Sequence, residues 1–310
     1  MDRPDATAGA PAATADRRPS RTPGGSPPRP ARRLPRPLRT VGALLRACHP
    51  GPTVAVSLLV GGLTVATGQE GLGALQATAA VLAGQLSIGW SNDALDAVRD
   101  GAVGRRSKAV VAGAVSARTV HIAAVAALTL CLPLSLGYGP LAGAVHLVGV
   151  AAGWAYNLGL KATPLSWLPY AVGFASLPAF VTLGLPGQPW PAWWVVTAAA
   201  LLGVGAHLAD VLPDITADLA TGVRGWPQRL GPRRSAVLLP LPLVAATVVL
   251  VLGGPGPAGA AGVVAVAASV AVAVGGALTA RKLPKAPFVG AVVVAALDVA
   301  LLLGQGAVIC

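Results

Sequence analysis

From Gly71 to Lys108 the chain runs GLGALQATAAVLAGQLSIGWSNDALDAVRDGAVGRRSK: twenty-two residues without a charge, then three aspartates and four basic residues in quick succession. A helix of about 20 apolar residues matches the roughly 30 Å hydrocarbon core of a bilayer. The uncharged stretch therefore predicts a membrane span near 72–91, and the charges behind it mark where the chain leaves the lipid.

Composition extends that expectation to the whole chain. Of its 310 residues 54% are apolar and 11% charged. A soluble domain carries a charged surface of about a quarter of its residues or more, so lipid must cover most of this exterior. Apolar runs predict nine spans, near 50–67, 72–91, 113–136, 140–159, 165–184, 191–211, 236–253, 258–279 and 287–304. The expected fold is all-α, a polytopic bundle of nine transmembrane helices over 41–310, with residues 1–40 as a disordered basic cytoplasmic tail. The low-complexity mixture of Pro, Ala, Arg, Ser and Gly in that tail lacks the apolar content to form a core.

The net charge of +12 is distributed in a way that argues against nucleic acid as a partner. Ten of the 23 Lys and Arg residues fall between Arg3 and Arg46, Arg118 lies at the start of the third expected span, and the other twelve gather in alternate connections. Those connections hold Arg99, Arg105, Arg106 and Lys108, then Lys161, then Arg224, Arg229, Arg233 and Arg234, then Arg281, Lys282 and Lys285. The intervening connections hold none. Basic residues mark the cytoplasmic side and attract anionic lipid, so the pattern predicts a multi-pass cell-membrane protein with its N-terminus cytoplasmic and its C-terminus on the opposite side. Cys48, Cys131 and Cys310 have no paired spacing and suggest small buried side chains.

Only eight acids follow the tail, and six lie in two short segments. In the first, Asn92, Asp96 and Asp100 are spaced i, i+4, i+8 and share one helical face, with Asp93 beside it. In the second, Asp210, Asp214 and Asp218 repeat that spacing. Each segment ends an even-numbered span on the same side of the membrane. Crowded carboxylates at the edge of hydrocarbon repel one another and are poorly solvated, so they need a positive counterpart. Hard oxygen ligands of this kind suit Mg2+, which commonly joins carboxylates to substrate phosphates. Solvated helix-end acids paired with loop arginines are the simpler explanation of one such cluster. Two clusters with one spacing, in a chain this poor in acids, favour the metal.

Asn92 to Asp100 also fits the NDxxDxxxD motif of the UbiA superfamily of intramembrane prenyltransferases, which the chain resembles over about 45–305. Asp214 and Asp218, followed by Gly222, Arg224 and the Pro227–Gly231 stretch, resemble the family's second motif. Tyr156-Asn157-Leu158-Gly159-Leu160-Lys161 resembles its tyrosine-to-lysine element, and Lys108 the basic residue after the first motif. Ala109, Gly225 and Val211 depart from the family pattern. The resemblance implies transfer of an isoprenyl group from an isoprenyl diphosphate donor to an aromatic or other lipophilic acceptor, with release of diphosphate.

On that basis Asn92, Asp96, Asp100, Asp214 and Asp218 are the expected catalytic metal ligands, with Asp93 and Asp210 as further ligands or supporting residues. Lys108, Lys161 and Arg224 are expected at the diphosphate, with Arg105 and Arg106 behind them. Tyr156 and Asn157 either reach the donor or hold helices together. Trp190, Trp193 and Trp194 suggest an outer interfacial belt, with Trp167 and Tyr170 as its inner equivalent. His207 reads as a hydrogen-bonded core residue in preference to an acceptor-site base, and Asp298 has no motif. Competing readings are a transferase with a non-aromatic acceptor, such as a sugar or glycerol phosphate, and a transporter. Acids gathered at one membrane edge, instead of along a path through it, weigh against the transporter.

Overall fold

The computed structural model describes residues 36–255 and 257–304. The expected tail to residue 35 and Cys310 lie outside the described residues. The last five residues assigned to the tail are helical, because α1 spans Arg36–Ala47. It is followed by α2 (Pro50–Ala66), α3 (Gly71–Leu95), α4 (Ala97–Ala102), α5 (Ala117–Tyr138), α6 (Pro140–Leu158), α7 (Leu168–Leu183) and α8 (Trp193–Val211). Then come α9 (Ile215–Ala220), α10 (Trp226–Leu238), α11 (Pro240–Gly253), α12 (Ala260–Thr279) and α13 (Ala286–Gly304). The described residues contain no strand.

Every expected span falls on one of these helices, but length separates them. Five helical stretches are long and apolar enough to cross a bilayer, and counting each of two bent pairs as one span brings the number to seven. The pairs are α1 with α2, bent by 71°, and α10 with α11, bent by 50°. The apolar helices α7 and α13 are shorter. Length and composition thus support five to seven crossings, short of the nine expected, within an all-helical membrane bundle.

Proline and glycine shape its ends. Pro50, Pro140 and Pro169 occupy first turns, where the missing N–H would have no helical partner. The Ser116 side chain caps α5 by accepting from the Thr119 N–H at 3.0 Å. Helix α3 packs on α2, α5 and α6, α7 lies between α6 and α8, and α8 packs on α11. Helix α13 touches both α8 and α2, so the last helix meets the first expected span and closes the bundle.

Two glycines allow the approaches that matter for the site. A Cβ at Gly89 would run into the Cys48 carbonyl, and one at Gly203 into the Tyr170 carbonyl. The first brings the α1–α2 break against α3, and the second brings α7 against α8. Phe180, Val181 and Leu183 anchor one part of the core, and Leu208, Leu239, Leu243 and Val294 anchor another. Trp194 is buried in that first cluster, whereas Trp190 and Trp193 are exposed as a belt requires.

Candidate active site

Both acidic segments sit where a long helix is interrupted. Asp96 divides α3 from α4, although the Asp96 and Asp100 N–H groups still donate to the Asn92 and Asp96 carbonyls at 2.9 and 2.8 Å. Pro213 accompanies a tighter turn over Leu212–Asp214 between α8 and α9. The two interruptions meet at one cavity of about 340 Å³. Asn92, Asp96, Asp210, Asp214 and Asp218 line its polar end, with Arg99, Arg105, Lys108 and Lys161. Gly149, Val150, Phe174, Leu177 and Leu202 are among the residues that line the remainder.

Arg105 joins the segments. Its Nη1 donates to Asp100 Oδ1 at 3.2 Å, while Nη2 lies 3.1 Å from Asp214 Oδ1 and 3.6 Å from Asp218 Oδ1. A planar guanidinium with several fixed donors suits this bridging position. Asp218 also accepts from the buried Gln228 amide at 2.8 Å. Asp96 accepts from Arg99 at 2.6 Å and from Lys161 at 2.5 Å. Burial pushes the Lys161 ammonium below its ordinary pKa, and the Asp96 carboxylate opposes that shift. Asp100 is only 2% exposed and is held by Arg105, outside the residues that line the cavity.

The other expected site residues divide clearly. Asp93 is 2% exposed and does not line the cavity. It accepts from Lys108 at 2.5 Å and pairs with His49 at 3.0 Å, and so holds both basic side chains in place. Helical geometry turns it away from the cavity, because Asp93 is one residue, about 100°, around from Asn92. Arg224 is exposed and does not line the cavity. Asn157 is buried; its amide donates to the Ile88 carbonyl at 2.9 Å and Ser91 Oγ at 2.7 Å, and its Oδ1 accepts from Asn92 at 3.0 Å. Asn157 thus positions Asn92 and fixes α6 to α3. Asn157→Leu leaves three polar groups without this partner, a change that costs about 1–3 kcal/mol for each buried one. The expected result is a lower melting temperature in detergent, together with reduced turnover.

Tyr156, Tyr170 and His207 form an aromatic corner. The tyrosine rings meet edge to face at 5.3 Å, and Tyr170 lies 4.9 Å from His207. Tyr170, expected in an interfacial belt, instead donates its hydroxyl to Asp210 at 2.8 Å. His207 is buried and pairs through Nε2 with Ser166 at 3.1 Å, as a core residue does. Asp298 is buried in α13 outside the cavity lining, and nothing in the structure gives it a role. His49 escaped the sequence analysis altogether. Its only signal was its place before Pro50 at the start of an apolar run, and its left-handed backbone at φ 55° turns the side chain toward Asp93.

Among the described residues no three His, Cys, Asp or Glu side chains gather into a ready metal cage. Lys and Arg side chains separate the carboxylates. The donor set is nevertheless hard oxygen, drawn from two segments around one cavity, and in chemistry it fits a divalent cation such as Mg2+.

The fold and the site together define a helical membrane bundle in which carboxylates and bases from two segments line one cavity with apolar side chains. Residues 54–295 match the model of the UbiA prenyltransferase family, and the chain belongs to that family. It is a multi-pass membrane protein of that family. The bacteriochlorophyll synthase 33 kDa chain of Cereibacter sphaeroides is 32% identical over 169 residues, covering 51% of this chain and 55% of that relative. The chain thus spans about half the length of this curated relative. Among solved structures, a UbiA homologue from Archaeoglobus fulgidus bound to GPP and Mg2+ superposes with a TM-score of 0.64 at 16% identity, covering 84% of this chain and 97% of that one. The apo UbiA homologue from Aeropyrum pernix K1 superposes with a TM-score of 0.61 at 20% identity, covering 88% and 99%. At these identities the likeness is one of fold.

Proposed function

We propose that this chain transfers an isoprenyl group from an isoprenyl diphosphate to an aromatic or other lipophilic acceptor, with Mg2+ as cofactor and diphosphate as the second product. One observation carries the proposal: carboxylates from both segments and the bases Arg99, Arg105, Lys108 and Lys161 line one cavity together with many apolar side chains. The Archaeoglobus homologue bound to GPP and Mg2+ supports the choice of donor and cation. Asn92, Asp96, Asp100, Asp214 and Asp218 would hold Mg2+, which supplies charge stabilisation to the departing diphosphate. Asp93 supports Lys108 in this scheme, and Arg224 takes no part.

The protein's own groups perform the rest. Arg99, Arg105 and Lys161 exchange their carboxylate partners for phosphate oxygens, so positive charge is in place as negative charge gathers on the leaving group. Asn157 keeps Asn92 turned to the site. The apolar wall holds the prenyl chain and excludes water from the allylic cation, while the Tyr156 and Tyr170 rings offer it electron-rich faces. The single transmembrane domain begins by residue 41. Its basic connections and N-terminus face the cytoplasm, and the C-terminus faces the other side, as the distribution of Lys and Arg supports.

Purified protein with Mg2+, a panel of isoprenyl diphosphates and a panel of lipophilic acceptors tests the reading. The expected outcome is Mg2+-dependent diphosphate release and a prenylated product identified by mass. Neither product nor diphosphate from any pair would reject it.

A further inference from the structure

The cavity lining ends at a common level on the helices that form it. Contacts tie their polar ends together: Lys161 after α6 meets Asp96 after α3, Tyr170 on α7 meets Asp210 on α8, and His49 ahead of α2 meets Asp93 near the end of α3. Away from that end, the last lining residues are Leu59 on α2, Gln85 on α3, His146 on α6, Leu177 on α7 and Leu202 on α8. One turn further on, Leu63, Val81, Phe180 and Ala198 belong to a single buried core cluster. At 1.5 Å per residue, the stretch from Asn157 to His146 is about 16 Å long and that from Tyr170 to Leu177 about 10 Å. The His146 ring closes the floor. It is 3% exposed, stacks on Phe180 of α7 at 4.6 Å, and is held through Nδ1 by Ser135 Oγ at 2.8 Å. A Cβ at Gly84 would come within 3.4 Å of the same ring and 3.0 Å of Val150, so α3 packs against it without a gap.

Resting on the proposed transferase activity, we infer that the donor is short, geranyl or farnesyl diphosphate, and that His146 is the specificity-determining residue that stops longer chains. With carbon–carbon bonds of about 1.5 Å, an extended isoprenyl unit advances about 5 Å, so about two or three units fill the depth between the carboxylates and the floor. Each unit that enters the cavity leaves water and strengthens binding. A fourth unit meets the stacked His146 and Phe180 rings and must fold back or stay outside, which forfeits its burial and disturbs the units already seated.

The test titrates the full-length protein in Mg2+ with unreactive thiolodiphosphates, in which sulfur replaces the oxygen on C1, and reads Kd by calorimetry. The probes carry dimethylallyl, geranyl, farnesyl or geranylgeranyl chains. Wild type should bind the geranyl or farnesyl probe most tightly and the geranylgeranyl probe about tenfold more weakly or worse. His146→Ala opens the floor and should bring the geranylgeranyl probe within about threefold of the farnesyl one. Ser135 keeps the Cys131 carbonyl as its acceptor at 2.7 Å, so the change strands no hydroxyl. Gly173→Leu does the reverse. Gly173 lines the cavity about one isoprenyl unit below Tyr170, and a Cβ there would find only the Gly149 carbonyl at 3.9 Å, so the leucine projects into open space. It should weaken the farnesyl probe about tenfold or more and the dimethylallyl probe less than about threefold. Ratios between chain lengths on one sample cancel any difference in the folded fraction. Wild-type binding of the geranylgeranyl probe as tight as that of the farnesyl probe would overturn the inference, as would an unaltered length preference in either variant. Failure of every probe to bind wild type in Mg2+ is the separate result that removes the transferase reading itself.

Discussion

Asp214→Ala lowers Mg2+-dependent turnover about a thousandfold or more and leaves the bundle folded: a metal that stabilises developing charge contributes several kcal/mol, and each 1.4 kcal/mol is a factor of ten. The position is well suited to the experiment because its side chain is 52% exposed and its ion pair is with Arg105, which keeps Asp100 and Asp218 as partners. A half-exposed pair contributes at most about 1 kcal/mol to folding, so the melting temperature in detergent should hardly move. Asp96→Ala removes turnover to the same degree but is less clean. Its carboxylate and Lys161 are each 9% exposed, and the change strands Lys161 and Arg99. Breaking a buried pair costs about 3–5 kcal/mol, so Asp96→Ala should also melt earlier, with Asp96→Asn as the milder control. Diphosphate release measured on monodisperse protein checks both. Substantial turnover by Asp214→Ala would remove the second acidic segment from the chemistry.

The sequence is informative about this fold because lipid imposes a coarse rule. Uncharged runs of span length must become helices, and the alternating Lys and Arg residues locate their ends. Asp96 and Asp214 line one cavity, as expected of segments that end even-numbered spans on the same side of the membrane. Tertiary placement was not legible in the same way. Asp93 lies inside the first motif, yet its partner His49 is 44 residues earlier, and no local pattern couples them. Tyr170 has the sequence position of an interfacial aromatic. Only the close approach of α7 and α8 at Gly203 gives it Asp210 as an acceptor. Arg224 is exposed and outside the cavity lining, because a motif position carries a residue type but not the turn that aims it. Length and composition support five to seven of the nine expected spans, because bends and short helices are invisible to hydropathy. A hydropathy run cannot reveal that α10 and α11 meet at 50°, with Gly231 at φ 80° and Pro232 breaking α10.

Arg105 was the least conspicuous of the bases in sequence, one of a pair of arginines in a short connection, yet among the described residues it alone forms ion pairs with both acidic segments. Arg105→Met is expected to act in opposite directions on stability and on metal binding. Without the guanidinium, Asp100, Asp214 and Asp218 face one another uncompensated, and Asp100 is 3% exposed at its side chain. In metal-free buffer the variant should therefore lose about 3 kcal/mol or more of stability, the usual cost of leaving a buried charge unpaired. Added Mg2+ then meets carboxylates from which no guanidinium has to be displaced. It should bind the variant more tightly than wild type and raise its melting temperature further, since a ligand that binds the folded state alone stabilises by mass action. Turnover nevertheless falls about 100-fold, because the guanidinium is also lost from the charge that gathers on diphosphate. Melting curves taken across a Mg2+ titration separate these effects. Equal Mg2+ stabilisation of wild type and Arg105→Met would mean that the arginine and the metal occupy different oxygens, and that the two acidic segments do not share one cation site.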